Sequence, residues 1–191
     1  VQVSAADGYG NTSPVTVLTF PVIINDTDLD GIDDPLDEFP NDPERAATSY
    51  YPAENVYNTL VFEDLWPKMG DFDMNDAVIS FNFKSILNSS NMVKELVFNI
   101  KARARGASYA NAFAISLEGI DENNVESLTL QQGIDVTAIS AESGHQGELV
   151  VPIIPNLSTL LPSGLGNEFY STSNTDNRGS KVLSVNLVLN Q

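Results

Sequence analysis

The chain has no cysteine, one histidine, one tryptophan and only 9 lysines and arginines among 191 residues. Without cysteine there is no disulfide framework, no thiol nucleophile and no thiolate zinc site. The lone His145 stands in Ser143-Gly144-His145-Gln146-Gly147, a glycine-rich loop where a histidine reads as a surface residue. Zinc catalysis therefore lacks ligands. No G-x-S-x-G occurs, and a serine triad would have to recruit His145. Acidic residues number 26, giving a formal charge of −17, so duplex nucleic acid and anionic lipid are poor partners. No run approaches the roughly 20 apolar residues of a membrane helix, and no signal-peptide pattern is present. Val1 reads as mid-strand and Gln191 follows directly on another strand, the pattern expected of a piece of a longer secreted protein. Absence of cysteine does not imply a reducing compartment, since large bacterial surface proteins use calcium where small secreted domains use disulfides.

What is present is acid in two concentrations, Asp26–Glu44 and Glu63–Asp76. In the first, Asp26, Asp28, Asp30, Asp34 and Asp37 fall at positions 1, 3, 5, 9 and 12 of a calcium loop, with Gly31 at position 6. A hard cation needs six to eight oxygens at about 2.3–2.6 Å, and this spacing folds them round one point. Gly31 permits the sharp turn, and the Ile32 carbonyl would fill position 7. Position 12 is Asp37 where the helix–loop–helix version has glutamate, and Pro35, Pro40 and Pro43 oppose flanking helices. The stretch resembles a thrombospondin type 3 repeat, in which the chain itself wraps calcium. The alternative is a disordered acidic linker. Two carboxylates about 4 Å apart repel by roughly 4 kcal/mol at an effective dielectric near 20, so convergence without a cation is costly.

In the second concentration Asp71, Asp73, Asn75 and Asp76 repeat the alternating ligand spacing, with Glu63 and Asp64 just upstream. No glycine follows the third ligand, and a strand over Ala77–Phe83 begins at once. The expectation is a loop before a strand, its oxygens converging on a cation and closed by Glu63 or Asp64. The competing reading is a set of Asx turns capping a hairpin.

The rest reads as strands. Val1, Val3 and Ala5 alternate before Asp7-Gly8-Tyr9-Gly10-Asn11 and then TVLTFPVII, a hairpin signal. That hairpin resembles the closing hairpin of immunoglobulin-like or cadherin-like repeats on bacterial surface proteins. Further strands are expected at Thr59–Phe62, through Leu96–Arg105, and at Phe113–Leu117, Glu148–Ile153 and Lys181–Leu189, with one helical turn at Asn156–Leu161. Residues 1–24 therefore form a terminal hairpin, residues 25–45 a calcium-binding linker, and residues 46–191 an antiparallel β-sandwich or jelly roll.

Tyr50-Tyr51-Pro52, the run from Thr59 to Pro67 (TLVFEDLWP) and Gly70-Asp71-Phe72-Asp73-Met74-Asn75-Asp76 together resemble the LruC domain family of bacterial secreted and surface proteins. The run Ala104-Arg105-Gly106-Ala107-Ser108-Tyr109-Ala110-Asn111-Ala112-Phe113 is similar to a second signature of that family, which usually has glycine where Ala112 stands. The resemblance covers roughly residues 46–191. It implies a secreted or envelope location and a mostly β fold, and no catalysed reaction. Known members continue past the point where this chain stops, which suggests a truncated C-terminus.

Other candidates are weaker. Glu63 and Asp64 with Asp71 or Asp73 could supply a glycosidase acid and base, but a general acid needs relative isolation, which a crowd of carboxylates denies. Trp66, between Leu65 and Pro67, reads as a core anchor more than a sugar platform. Tyr50, Tyr51, Tyr109 and Tyr170 read as exposed binding candidates. Lys101, Arg103 and Arg105 form a basic stripe on one strand face. The expectation is a calcium-binding extracellular structural or adhesive module, partnered by neighbouring domains and by glycan or protein on another surface. A calcium-dependent carbohydrate- or peptide-binding module is the alternative, and a polysaccharide-active enzyme trails both.

Overall fold

The computed structural model describes residues 2–17, 25–65, 67–162, 169–171 and 181–190. The strand expected beyond Val17, and Trp66, lie outside them. Alternating apolar positions generate antiparallel strands throughout, and the fold is mostly β. A short hairpin pairs β1 (Gln2–Val3) with β2 (Thr16–Val17). Its turn is held by Asp7, whose carboxylate accepts from the Tyr9 and Asn11 amides at 2.9 Å. Those bonds, led by the Asn11 side chain, keep the Asp7 carboxyl below its ordinary pKa.

The main body stacks a small sheet on a large one. The large sheet contains β3 (Ala47–Tyr51), β4 (Asn58–Phe62), β5 (Ala77–Leu87), β6 (Val93–Ala104), β8 (Val125–Gln132), β9 (Asp135–Ala138) and β11 (Leu183–Leu189). Its order is β3-β5-β6-β11-β8-β9, with β4 also paired to β5. The small sheet pairs β7 (Phe113–Glu118) with β10 (Glu148–Ile154). On its other side β10 is met only by the bridge from Glu142 to Val150 among the described residues, which leaves Pro152 beyond it; the register shifts between Pro152 and Ile154. One helical turn, α1 (Leu157–Leu160), is capped by Asn156, whose side chain accepts from Ser158 N at 2.9 Å.

Register decides the core. Phe81 opposes Ile100, and Ile100 in turn opposes Leu183. The same face carries Ile79, Phe98, Val185 and Leu187 against Leu149, Val151 and Leu157 of the covering layer. Ile79, Ile100, Val151, Val185 and Leu187 are fully buried, each contributing about 1.5–3 kcal/mol relative to exposure. On β5 the opposite face carries Ser80 and Asn82, both buried, and the Asn82 amide donates to Ala53 O and Val56 O of the loop before β4.

Residues 38–46 are strapped to the sandwich. Ala46 N donates to Leu87 O at 2.8 Å, and Glu38 N donates to Ala46 O at 3.0 Å. Arg45 pairs with Asp42 at 2.7 Å and with Glu95 on β6 at 3.0 Å. The enclosed Lys94 ammonium reaches Glu44 at 3.0 Å and Glu126 at 3.1 Å. The acidic stretch is thus tied to β6 and β8 at its exit.

Two sequence expectations are corrected. Tyr170 is buried, its backbone paired with Arg105, because the 169–171 segment closes over the end of β6. Arg105 leaves the basic stripe: it lies one residue past β6 and is buried, with its guanidinium donating to Leu161 O and Ala107 O, both at 3.1 Å. Tyr51 and Tyr109 are exposed, and Tyr50 is half-buried.

Candidate metal centres

The first acidic stretch curls as its spacing requires. Gly31 takes φ 100° and Leu29 φ 66°, and the left-handed glycine makes the turn without a Cβ clash. Asp26 accepts from Leu29 N at 2.7 Å through one oxygen and from Gly31 N at 3.0 Å through the other. Asp28 Oδ1 accepts from Asp30 N at 3.3 Å, and Asp30 Oδ1 from Ile32 N at 2.8 Å. One oxygen from each of Asp26, Asp28 and Asp30 lies within 4.8 Å of the others. Asp28 Oδ2 and Asp30 Oδ2 are enclosed and have no hydrogen-bond partner among the described residues. A buried charged oxygen without a donor is costly, and a cation at this point would remove that cost.

The later positions behave differently. Asp34 turns back on the loop's start, accepting from Thr27 N and Thr27 Oγ1, both at 2.8 Å, and from the Asn25 amide. Asp37 is buried; its Oδ1 accepts from Phe39 N at 2.7 Å while its Oδ2 is enclosed without a partner. Neither joins the close group of Asp26, Asp28 and Asp30. Ile32 is half-buried beside it.

The second stretch brings two segments together. Glu63, Asp64 and Asp76 offer oxygens within 4.8 Å of one another, and so do Glu63, Asp71 and Asp73. Glu63 is common to both groups. β4 delivers Glu63 and Asp64 from its end, and β5 delivers Asp76 from its start; Asp64 N donates to Asp76 Oδ2 at 2.8 Å. Met74 N donates to Glu63 Oε2 at 3.3 Å. A hydrogen bond to Asp76, then burial, raises the pKa of Glu63; burial, then the Asp76 charge, raises that of Asp64. These carboxyls hold protons more tightly than isolated ones because the shared hydrogen bond, the loss of water and the negative neighbours each disfavour the charged form. Phe72 and Met74 take φ 58° and 55°, conformations that cost bulky residues roughly 1–2 kcal/mol each.

Two glycines make room for this arrangement. A Cβ on Gly70 would lie 2.6 Å from Glu63 Oε1. At Gly106 a Cβ would overlap the Asn75 side-chain oxygen outright and sit 2.9 Å from its backbone oxygen. Gly106 N also donates to Asn75 O at 2.9 Å. Asn75 Nδ2 donates in turn to Asp73 Oδ2, so Asn75 orients a carboxylate. Sequence reasoning found the acids and missed these glycines; the signal was Gly106 inside the Arg105-Gly106-Ala107 run. The arrangement also holds Asx-type bonds, but residues 63, 64 and 76 meet across two strands, which a local turn alone does not require.

An open cavity of about 370 Å³ adjoins this cluster, rimmed by Leu65, Met69, Tyr109 and Phe169, all exposed. His145 sits at a distant loop, 3.4 Å from Glu148 and 3.9 Å from Glu142. A hydrogen bond from Ser116, then one from His145, holds the Glu148 carboxyl below its ordinary pKa.

Fold and site together define an antiparallel β-sandwich carrying clustered carboxylates on a strapped loop and at a strand junction. Residues 91–191 match the family described as a domain of unknown function (DUF4842), and the chain belongs to that family. No curated protein and no solved structure matches the chain. The matched span holds β6 to β11 and Gly106, whereas both carboxylate clusters precede it.

Proposed function

We propose that this chain is a calcium-binding structural or adhesive module of an extracellular bacterial protein, with Ca2+ held by the loop from Asp26 and by the Glu63–Asp76 cluster. The reading rests on the enclosed, partnerless oxygens of Asp28 and Asp30 beside Asp26. Oxygen-only donors in flexible loops suit calcium, whose extracellular modules bind at millimolar levels. The strap from Glu38 to Ala46 would pass the stiffening of the loop to β6. The resemblance to LruC domains and to thrombospondin type 3 repeats supports the same location and role, without a catalysed reaction.

A second reading, calcium-dependent binding of carbohydrate or peptide, is favoured by one observation: the exposed apolar rim of Met69, Tyr109 and Phe169 beside Glu63 and Asp71. Thermal melts in calcium, magnesium and chelator test the main proposal. Ligand at about 100 times its Kd adds roughly 2.7 kcal/mol, or about 5–10 °C for a chain of this size. A melt indifferent to chelator refutes it.

A further inference from the structure

One end of the sandwich, where β4 and β6 finish and β5 begins, carries large apolar side chains in water. Met69 is 83% exposed, Phe72 65% and Tyr109 61%, and Leu65, Met74 and Phe169 are exposed beside them. Leu65, Met69, Tyr109 and Phe169 rim the cavity that Glu63 and Asp71 also line. Phe72 and Met74 alternate along the chain with Asp71 and Asp73. Both take left-handed backbone, at φ 58° and 55°, which asparagine or glycine would adopt at less cost. A loop that only gathered a cation could carry polar residues there. Contiguous apolar surface left in water marks a place that meets something.

The extent of the patch and its charge select the occupant. Phe72 and Met74 lie outside the lining of the cavity, so a sugar or a side chain seated in it would leave both in water. A lipid surface can take up rim and loop together. At a charge of −17 the chain repels anionic headgroups, but a cation at this end would reverse that locally. Asp71 and Asp73 are exposed and form a group with Glu63, so an ion among them is reached from solvent. Calcium takes about six to eight oxygens, and headgroup phosphate oxygens can complete a shell that these carboxylates begin. Asp64, in the adjoining group with Glu63, has an enclosed Oδ2 with no hydrogen-bond partner among the described residues, which a cation would satisfy. Apolar side chains beside a bridging ion combine the two interactions that hold a protein at a membrane interface.

We propose that this end of the sandwich docks through calcium on an anionic phospholipid surface, with Met69, Phe72, Met74 and Tyr109 entering the interface. The proposal rests on calcium at the Glu63–Asp76 cluster and adds the partner. The full chain is sedimented with vesicles of phosphatidylglycerol and phosphatidylcholine, or of phosphatidylcholine alone, in millimolar calcium, magnesium or chelator. Melting temperature with and without calcium is read on the same protein in the absence of vesicles. Cosedimentation is expected with the anionic vesicles in calcium, and is lost in magnesium, in chelator or on phosphatidylcholine alone. Phe72→Asn and Met74→Asn, which suit the left-handed backbone, should each weaken vesicle binding about tenfold and keep the calcium-induced rise in melting temperature. Ile134→Asn, which removes an exposed apolar side chain from the distant β8–β9 turn, should change neither. A calcium-induced rise without vesicle binding overturns the docking and leaves the calcium reading standing, whereas absence of the rise overturns both. Equal binding in chelator, or equal weakening by Ile134→Asn, marks general apolar adhesion and overturns the docking too. Calcium-dependent retention by soluble polysaccharide or gelatin, with no vesicle binding, overturns it in favour of carbohydrate or peptide at the rim.

Discussion

Gly106→Ala tests how the second carboxylate cluster is held. The added methyl would overlap the Asn75 side-chain oxygen and lie 2.5 Å from its Cγ. A rotamer change at Asn75 cannot relieve this fully, because the Asn75 backbone oxygen is also only 2.9 Å from the new carbon. That oxygen accepts the Gly106 amide, so moving it away breaks a bond worth about 0.5–1.5 kcal/mol. Overpacking adds about 1–3 kcal/mol, which places the total near 2–4 kcal/mol. The displaced element is the 71–76 segment, so Asp73 and Asp76 move relative to Glu63. Chemical denaturation should show the loss of stability in chelator. A calcium titration followed by melting temperature should show a weaker response than wild type. Wild-type stability together with an unchanged titration would refute the reasoning, since it would mean that the 71–76 loop does not depend on this contact.

The two clusters should separate by mutation. Asp30→Asn and Asp73→Asn are each expected to shift the calcium midpoint by about tenfold or more, the factor typical even of residues behind the ligands; isothermal titration measures both. The calcium response should also depend on pH. Raised carboxyls at Glu63 and Asp64 favour the folded state when protonated, and ionising them costs stability as pH climbs from the ordinary carboxylate range to their raised values. Calcium competes with those protons, so the calcium-induced rise in melting temperature should be full at pH 7 and shrink towards pH 4; a rise independent of pH contradicts the site. Finally, Asn82→Ala should cost about 1–3 kcal/mol in urea denaturation, because the buried Asn82 amide donates to Ala53 O at 2.8 Å and Val56 O at 2.7 Å and holds the loop before β4.

Most of the strand pattern was legible. Leu96, Phe98, Ile100 and Ala102 alternate with polar residues, and they lie on the core face of β6. The helical turn before Pro162 was legible from Asn156, a capping residue. β8 and β9 were harder, because β8 carries Glu126, Ser127, Thr129, Gln131 and Gln132, half of whose faces meet water. Arg105 continued the parity of the basic stripe in sequence; the chain leaves β6 at Ala104, and burial follows from that exit.

Spacing alone marked Asp26, Asp28, Asp30 and Gly31 as a turn that gathers oxygens, because those residues interact over a few positions of chain. Alternation likewise determined which faces of the long strands could be buried. Tertiary structure decided the rest: that Asp34 folds back on Thr27, that Glu63 bridges two acid groups, and that Gly106 receives Asn75 from a segment some thirty residues earlier. Local backbone geometry is encoded by neighbours, whereas a meeting across strands depends on register and on which side chain leaves room for another.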